Sequence, residues 1–182
     1  MQLDLTLDGF YAGPNEEFDW FTLDPDLWKL SFEKLDTVDT VLLGRQNYEG
    51  FYGYWPTVKD NPESPETDVK FSSWLDDVPK VVFSTTLEKA EWSNSRLVKE
   101  DLTGEVAKLK QGTGKDLLIM NSSNVAQECM KHDLIDEYWL TVHPVTLGQG
   151  LPLFKERVNL KLLNSTTSGS GQLFLHYATQ RG

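Results

Sequence analysis

Residues 40–51, Thr40-Val41-Leu42-Leu43-Gly44-Arg45-Gln46-Asn47-Tyr48-Glu49-Gly50-Phe51, decide how the rest of the chain is read. Val41, Leu42 and Leu43 form a continuous apolar run cut off by glycine, the pattern of a strand buried on both faces. Gly44 lets the backbone turn sharply with no Cβ in the way, and a polar-aromatic segment of helical character follows. Arg45 therefore stands where a helix begins, beside free backbone N–H groups and the positive end of the dipole. A phosphate suits such a place, because a guanidinium grips it with two hydrogen bonds. A strand end followed by a surface arginine is the plainer reading, and spacing alone favours it, since a lone Gly-Arg pair is no fingerprint.

Two more stretches repeat the arrangement. Lys80 to Thr86 (KVVFSTT) is a second buried strand ending at Ser84-Thr85, and Asp116 to Met120 (DLLIM) is a third, leading into Asn121-Ser122-Ser123-Asn124. Serine there is a good N-cap for a helix holding Val125, Cys129 and Met130. In open α/β sheets ligands bind outside the carboxyl ends of the strands. Three such ends offer several backbone N–H groups and one fixed cation, which suits a phosphorylated cofactor.

Outward from these, Met1 to Leu7 alternates Met1, Leu3, Leu5 and Leu7 with Gln2, Asp4 and Thr6, a strand with one face wetter than the other. Asp8-Gly9 stops it, and the loop to Trp20 carries Phe10, Tyr11, Phe18 and Trp20, aromatics that either cap the core or wall a pocket. Asp24-Pro25 opens a helix with Leu27, Leu30 and Lys34 down one side. Asp26 in its first turn reads as a dipole-stabilising surface charge, or as an acid for catalysis if that face looks into a cleft. Trp55 to Asp68, with three prolines and several acids, reads as a mobile excursion, and Val69 to Asp76 as a short helix. An amphipathic helix carrying Val106 and Leu109 begins at Asp101 or Thr103. Ile135 to Val142 is a fourth strand, and Leu160–Thr166 with Gln172–Thr179 a closing antiparallel hairpin. The alternation of strands and helices describes a single α/β domain over residues 1–182, with a mostly parallel sheet ending in that hairpin.

The composition narrows the function classes. With 28 acidic and 17 basic residues the formal charge is −11, and such a surface repels nucleic-acid backbones and anionic membranes. The single cysteine, Cys129, excludes an intrachain disulfide and sits in a helical pattern as a small hydrophobe. The opening residues show no targeting segment and no apolar run spans a bilayer, so a soluble cytoplasmic protein is expected. His132, His143 and His176 show no metal-site spacing and read as surface or core packing. Ser84, Ser122 and Ser123 lack a paired His and Asp, which argues against nucleophilic catalysis.

LDGFYAGPNEEFDW (7–20), LLGRQNYEGF (42–51), KVVFSTTL (80–87) and LIDEYWLTVHPVTLGQGLPLF (134–154) fall in order over nearly the whole chain. In these it resembles the dihydrofolate reductase-like superfamily, and more closely the reductase domain of the bifunctional riboflavin-biosynthesis deaminase-reductase. The resemblance implies a three-layer α/β sandwich and a reductase carrying hydride from NADPH to a pterin-like or pyrimidine-like ring, of the 5-amino-6-(5-phosphoribosylamino)uracil reductase type. It implies that Gly44, Arg45, Gln46 and Asn47 hold the adenosine side of the cofactor, with Arg45 facing its 2′-phosphate. Ser84 and Thr85 touch the same side, and Asn121, Ser122, Ser123, Asn124 and Val125 receive the pyrophosphate. Asp26 falls at the carboxylate that binds and protonates the ring, and Asp8, Tyr11 and Trp20 on the loop over nicotinamide and substrate. Asn121-Ser122 stand where the family usually keeps Gly-Gly or Gly-Ser, and Asn47 where threonine is usual. A non-catalytic dimeric relative that kept the fold is the alternative. A homodimer is expected in either case, paired through the strand Asp136–His143 with Tyr138 or Trp139 exposed.

Overall fold

The computed structural model describes residues 1–181, apart from the side chains of Leu27 and Ser31, so the expected place of Leu27 lies outside the described residues. In chain order the elements are β1 (Gln2–Thr6), β2 (Phe10–Ala12), α1 (Pro25–Leu35), β3 (Val38–Gly44), α2 (Arg45–Val58), α3 (Glu66–Asp77), β4 (Lys80–Phe83) and β5 (Ser95–Val98). There follow α4 (Leu102–Lys110), β6 (Asp116–Ile119), α5 (Ser123–Lys131), β7 (Glu137–His143), β8 (Leu151–Pro152), β9 (Leu160–Thr167) and β10 (Leu173–Thr179). The described residues form two compact units, 1–34 with 126–181, and 35–125.

The unit of residues 35–125 is built on a four-stranded sheet of order β5-β4-β3-β6, parallel throughout. Val41, Leu42 and Leu43 are 0–1% exposed, as a continuous apolar run requires when both faces of a strand are covered. Burying each such side chain contributes about 1.5–3 kcal/mol before the cost of ordering the chain. Lys80 opens β4 inside this core, its Nζ donating to the carbonyls of Leu75 and Val78 and lying 4.8 Å from the centre of the Trp92 ring.

The stretch expected to be a mobile excursion is largely helical. Helix α2 runs through Pro56 to Val58, and α3 starts at Glu66, three residues before the expected Val69. Proline at that position gives up one intrahelical hydrogen bond. Tertiary packing compensates: the Trp55 and Phe71 rings meet edge to face at 4.6 Å, and Ser72 Oγ donates to the Trp55 carbonyl at 2.6 Å. The three prolines hid a helix end and a helix start behind a composition typical of loops.

The other unit carries the four-stranded sheet β1-β7-β10-β9, where β1 runs parallel to β7 and β10 antiparallel to both neighbours. The expected closing hairpin is β9 and β10. Strand β7 lies inside this sheet, hydrogen-bonded on both sides, so the expected dimer pairing through Asp136–His143 is wrong. Tyr138 is 1% exposed, and Trp139 lies beneath the Lys34 ammonium and against the His176 ring. Among the described residues the sheet's two edges are β1 and β9, and β9 has Leu162 and Leu163 exposed. The face of β1 expected to be wetter is also covered. Asp4 and Thr6 are buried, because β7 sets Thr141 and His143 beside them in register and loop residues cover the group.

Strands β2 and β8 form a small antiparallel pair. Gly150 permits it, since a Cβ there would lie 2.5 Å from the Ala12 carbonyl oxygen. Among the described residues no helix is long and apolar enough to cross a membrane.

Candidate functional site

The expected cofactor-side residues all belong to the unit 35–125, at the carboxyl edge of its parallel sheet. Neighbouring parallel strands end on the same side, so β3, β4 and β6 bring Gly44–Asn47, Ser84–Thr85 and Asn121–Val125 to one edge. Gly44 is the N-cap of α2, extended at φ −83° and without a side-chain cap. Its N–H donates to Ser122 Oγ at 2.9 Å, tying the end of β3 to the end of β6. Ser122 is buried, its hydroxyl oxygen engaged by that bond.

Asn121 takes a left-handed conformation, φ +48°. Asparagine is among the few residues that adopt it cheaply, which explains how it stands where a glycine is usual. Its Oδ1 is buried without a hydrogen-bond partner among the described residues, and so is Oδ1 of Asn47 in the first turn of α2. Buried amide oxygens left unpaired cost stability; two of them at one sheet edge fit a ligand that donates hydrogen bonds there. Ser84 Oγ accepts from the N–H groups of Thr86 and Leu87, shaping the turn after β4, while Thr85 is exposed. Ser123 and Asn124 open α5, and Val125 is buried with its Cγ2 facing Gly44.

Arg45 lies on the wall of a groove of about 510 Å³ between α2 and the segment after β4, with Tyr48, Glu49, Tyr52, Leu87 and Lys89 among its lining. The Arg45 guanidinium is paired with Glu49 at 2.8 Å. Tyr48 and Tyr52 stack at 5.9 Å, and the Tyr48 hydroxyl accepts from the Trp92 N–H. The sequence reading missed the contribution of Tyr48, Glu49 and Tyr52. Their spacing from Arg45, three, four and seven residues on, was a legible sign that they share its helix face.

The expected substrate-side residues lie in the other unit. Asp26 is exposed in the first turn of α1, and its N–H donates to the Asp24 side chain. Tyr11 is half-buried in β2. Asp8 acts as a clamp: its carboxylate accepts from the Thr6 hydroxyl and from the N–H groups of Leu147 and Gly148. The Thr6 hydroxyl, foremost, with those amides holds it below the usual carboxylate range. Gly148 turns there at φ +73°, a conformation that favours glycine.

Trp20 packs edge-on over His143 at 5.1 Å, with Phe21 beside it at 5.5 Å, and its Nε1 is buried without a partner among the described residues. Beneath them His143 Nε2 lies 3.1 Å from Asp4 Oδ1, which assigns the donated proton to Nε2. This buried pair was not foreseen. The histidine was expected to be packing, and nothing in its spacing pointed to an acid 139 residues away.

The RibD C-terminal domain family matches residues 1–174. The chain is 34% identical over 180 residues to the uncharacterized protein YyaP of Bacillus subtilis, covering 97% of this chain and 92% of that one. Among solved structures it resembles a protein of Shewanella sp. PV-4 provisionally named for riboflavin biosynthesis, with TM-score 0.74 and 23% identity, covering 99% and 97% of the two chains. It also resembles a dihydrofolate reductase of Enterococcus faecalis solved with NADP(H), with TM-score 0.62 and 16% identity, covering 99% and 95%. The two structures establish a dihydrofolate reductase-like fold. The sequence match shows that the chain belongs to the RibD C-terminal domain family.

Proposed function

We propose that this protein is an NADPH-dependent reductase of a pterin-like or pyrimidine-like heterocycle, of the 5-amino-6-(5-phosphoribosylamino)uracil reductase type, working as a cytoplasmic homodimer. The observation that carries the reading is the pair of buried, unpartnered amide oxygens, Asn47 Oδ1 and Asn121 Oδ1, at the carboxyl edge of the parallel sheet. Two donors from a bound nucleotide would relieve a cost that a purely structural edge would not retain.

NADPH, when bound, supplies the hydride; the protein's part is orientation, a dry pocket and a proton. Asn47 and Asn121 accept hydrogen bonds from the nucleotide, and the start of α5 at Ser123-Asn124 faces its pyrophosphate. Ser122, turned inward to the Gly44 N–H, leaves that approach clear. Arg45, with Gly44 and Gln46 beside it and Ser84-Thr85 at the next strand end, takes the adenosine side. In the other unit Tyr11 and Trp20 wall the heterocycle, Asp8 acts through the turn it clamps, and Asp26 provides the proton.

The test is a titration of NADPH and NADH into the purified protein, followed by quenching of tryptophan fluorescence. Saturable binding that weakens in Asn121→Ala supports the reading. Absence of binding by both nucleotides overturns it, and the protein is then a fold without the chemistry of its relatives.

A further inference from the structure

The unit of residues 1–34 with 126–181 holds a carboxylate that is paired on one side only. Asp4 in β1 is 9% exposed, and its Oδ1 lies 3.1 Å from His143 Nε2. Among the described residues its Oδ2 has no hydrogen-bond partner. Thr6, on the same face of β1, turns its hydroxyl to Asp8 instead, at 2.6 Å. Thr141 is set beside Asp4 by the parallel register of β1 and β7; it is 8% exposed, and its hydroxyl too is without a partner among the described residues. The place is not sealed, since 12% of the Asp4 side chain remains open. A carboxylate oxygen so nearly buried costs stability unless a donor meets it. The Trp20 and Phe21 rings packed over His143 give the place apolar walls. Neighbouring strands lie about 4.8 Å apart, so Asp4 and Thr141 can meet adjacent atoms of one ring. Asp4 Oδ2 accepts from an N–H, and the Thr141 hydroxyl donates to the carbonyl next to it.

We propose that Asp4 binds the ring of the substrate and that His143 sets which ring edge Asp4 accepts. Because His143 occupies Oδ1, one carboxylate oxygen is left, and it takes a single N–H flanked by carbonyls, the ureide edge of a pyrimidinedione. The amidine edge of a 2-amino ring offers two N–H donors side by side. It is held best by both oxygens of a carboxylate, which this one cannot present. His143 is thus a positioning residue that acts through Asp4. The inference rests on the reductase reading above and narrows its ring; Asp26 keeps the proton-donating role given there.

The experiment titrates two matched probes by calorimetry at neutral pH, with and without excess NADP+: lumazine, a pteridine-2,4-dione with the ureide edge, and pterin, the same bicycle with a 2-amino group. Wild type, Asp4→Asn and His143→Asn are compared, with circular dichroism confirming that each is folded. Wild type is expected to bind lumazine about tenfold tighter than pterin, the worth of one hydrogen bond to a carboxylate. In Asp4→Asn the amide oxygen stays with His143 and an N–H turns outward, so lumazine is expected to weaken about tenfold and pterin less. In His143→Asn the shorter side chain frees Oδ1, and pterin is expected to gain on lumazine by about three- to tenfold. A merely structural role would weaken both probes together and leave their ratio unchanged. Equal affinities in wild type, a preference for pterin, or a ratio that the variants do not move overturns the proposal. Should His143→Asn fail to fold, the wild-type ratio and Asp4→Asn decide. If NADPH binds but neither probe does, the role given to Asp4 is overturned and the cofactor reading stands. If lumazine is preferred through Asp4 while neither nicotinamide nucleotide binds, the ring site stands and the reductase reading falls.

Discussion

The two sheets of this protein bury opposite things. In the unit 35–125, the central strands carry continuous apolar runs and polar groups follow at their carboxyl ends: Val41 to Leu43 and Val81 to Phe83 are buried, and Ser84, Asn121 and Ser122 follow where strands stop. In the other unit, β1 and β7 turn Asp4, Thr6, Thr141 and His143 to one face in register, and that face is buried. A buried apolar strand is stabilised by its own composition. A buried polar face is tolerated only when every group on it finds a partner. The first kind of sheet can be read locally, whereas the second depends on residues far apart in the chain.

That contrast is broken most severely at His143. Replacing it with leucine leaves the Asp4 carboxylate buried without its partner, and we expect a loss of about 3–5 kcal/mol in urea unfolding. The double variant Asp4→Leu/His143→Leu removes both polar groups and should recover most of that loss. A single variant as stable as wild type would mean that the polar face is not a paired core.

Lys80 offers a converse test in the apolar sheet, since it is the one residue in β4 that is charged. Burial pushes its ammonium down to about 8 from an ordinary 10.5. The unfolded chain therefore holds this proton to higher pH than the folded one, and the burden on stability is full below pH 8 and is relieved as pH rises towards 10.5. The difference in unfolding free energy between wild type and Lys80→Met should shift in favour of wild type over that window, by on the order of 3 kcal/mol. A difference independent of pH would show that Lys80 is not desolvated in solution.

The smallest effect on folding is expected at the β9 edge of the mixed sheet, which exposes Leu162 and Leu163. Exposed edge strands with apolar side chains are ready to pair with a second copy. Leu162→Lys should change stability by less than about 0.5 kcal/mol, yet shift the sedimenting species from dimer to monomer at micromolar concentration. An unchanged mass would remove β9 as the dimer edge.

Much of the architecture was legible because it is local. The Pro25 helix start, the apolar runs of β3, β4 and β6, and the β9–β10 hairpin follow from period, caps and glycine breaks. Three short strands escaped: β2, β5 and β8 span four residues or fewer, too few for a period to declare itself. Around the candidate cofactor edge the sequence placed Arg45 at a helix start, but it did not show the groove that Arg45 lines with Tyr48, Glu49 and Tyr52. The i,i+4 spacing was visible; the groove required the segment after β4 to close against α2.

The sequence alone thus determined the longer strands and most of the helices, where three parallel strands end, and that polar, small and amide-bearing residues follow each end. Tertiary structure decided what those residues meet. It placed β7 inside its sheet rather than at an edge, joined Ser122 to Gly44, and matched Asp4 with His143 beneath Trp20. The physical reason is that side-chain periodicity fixes which residues share a face, while the covering of that face is set by non-local partners whose identity no local pattern encodes.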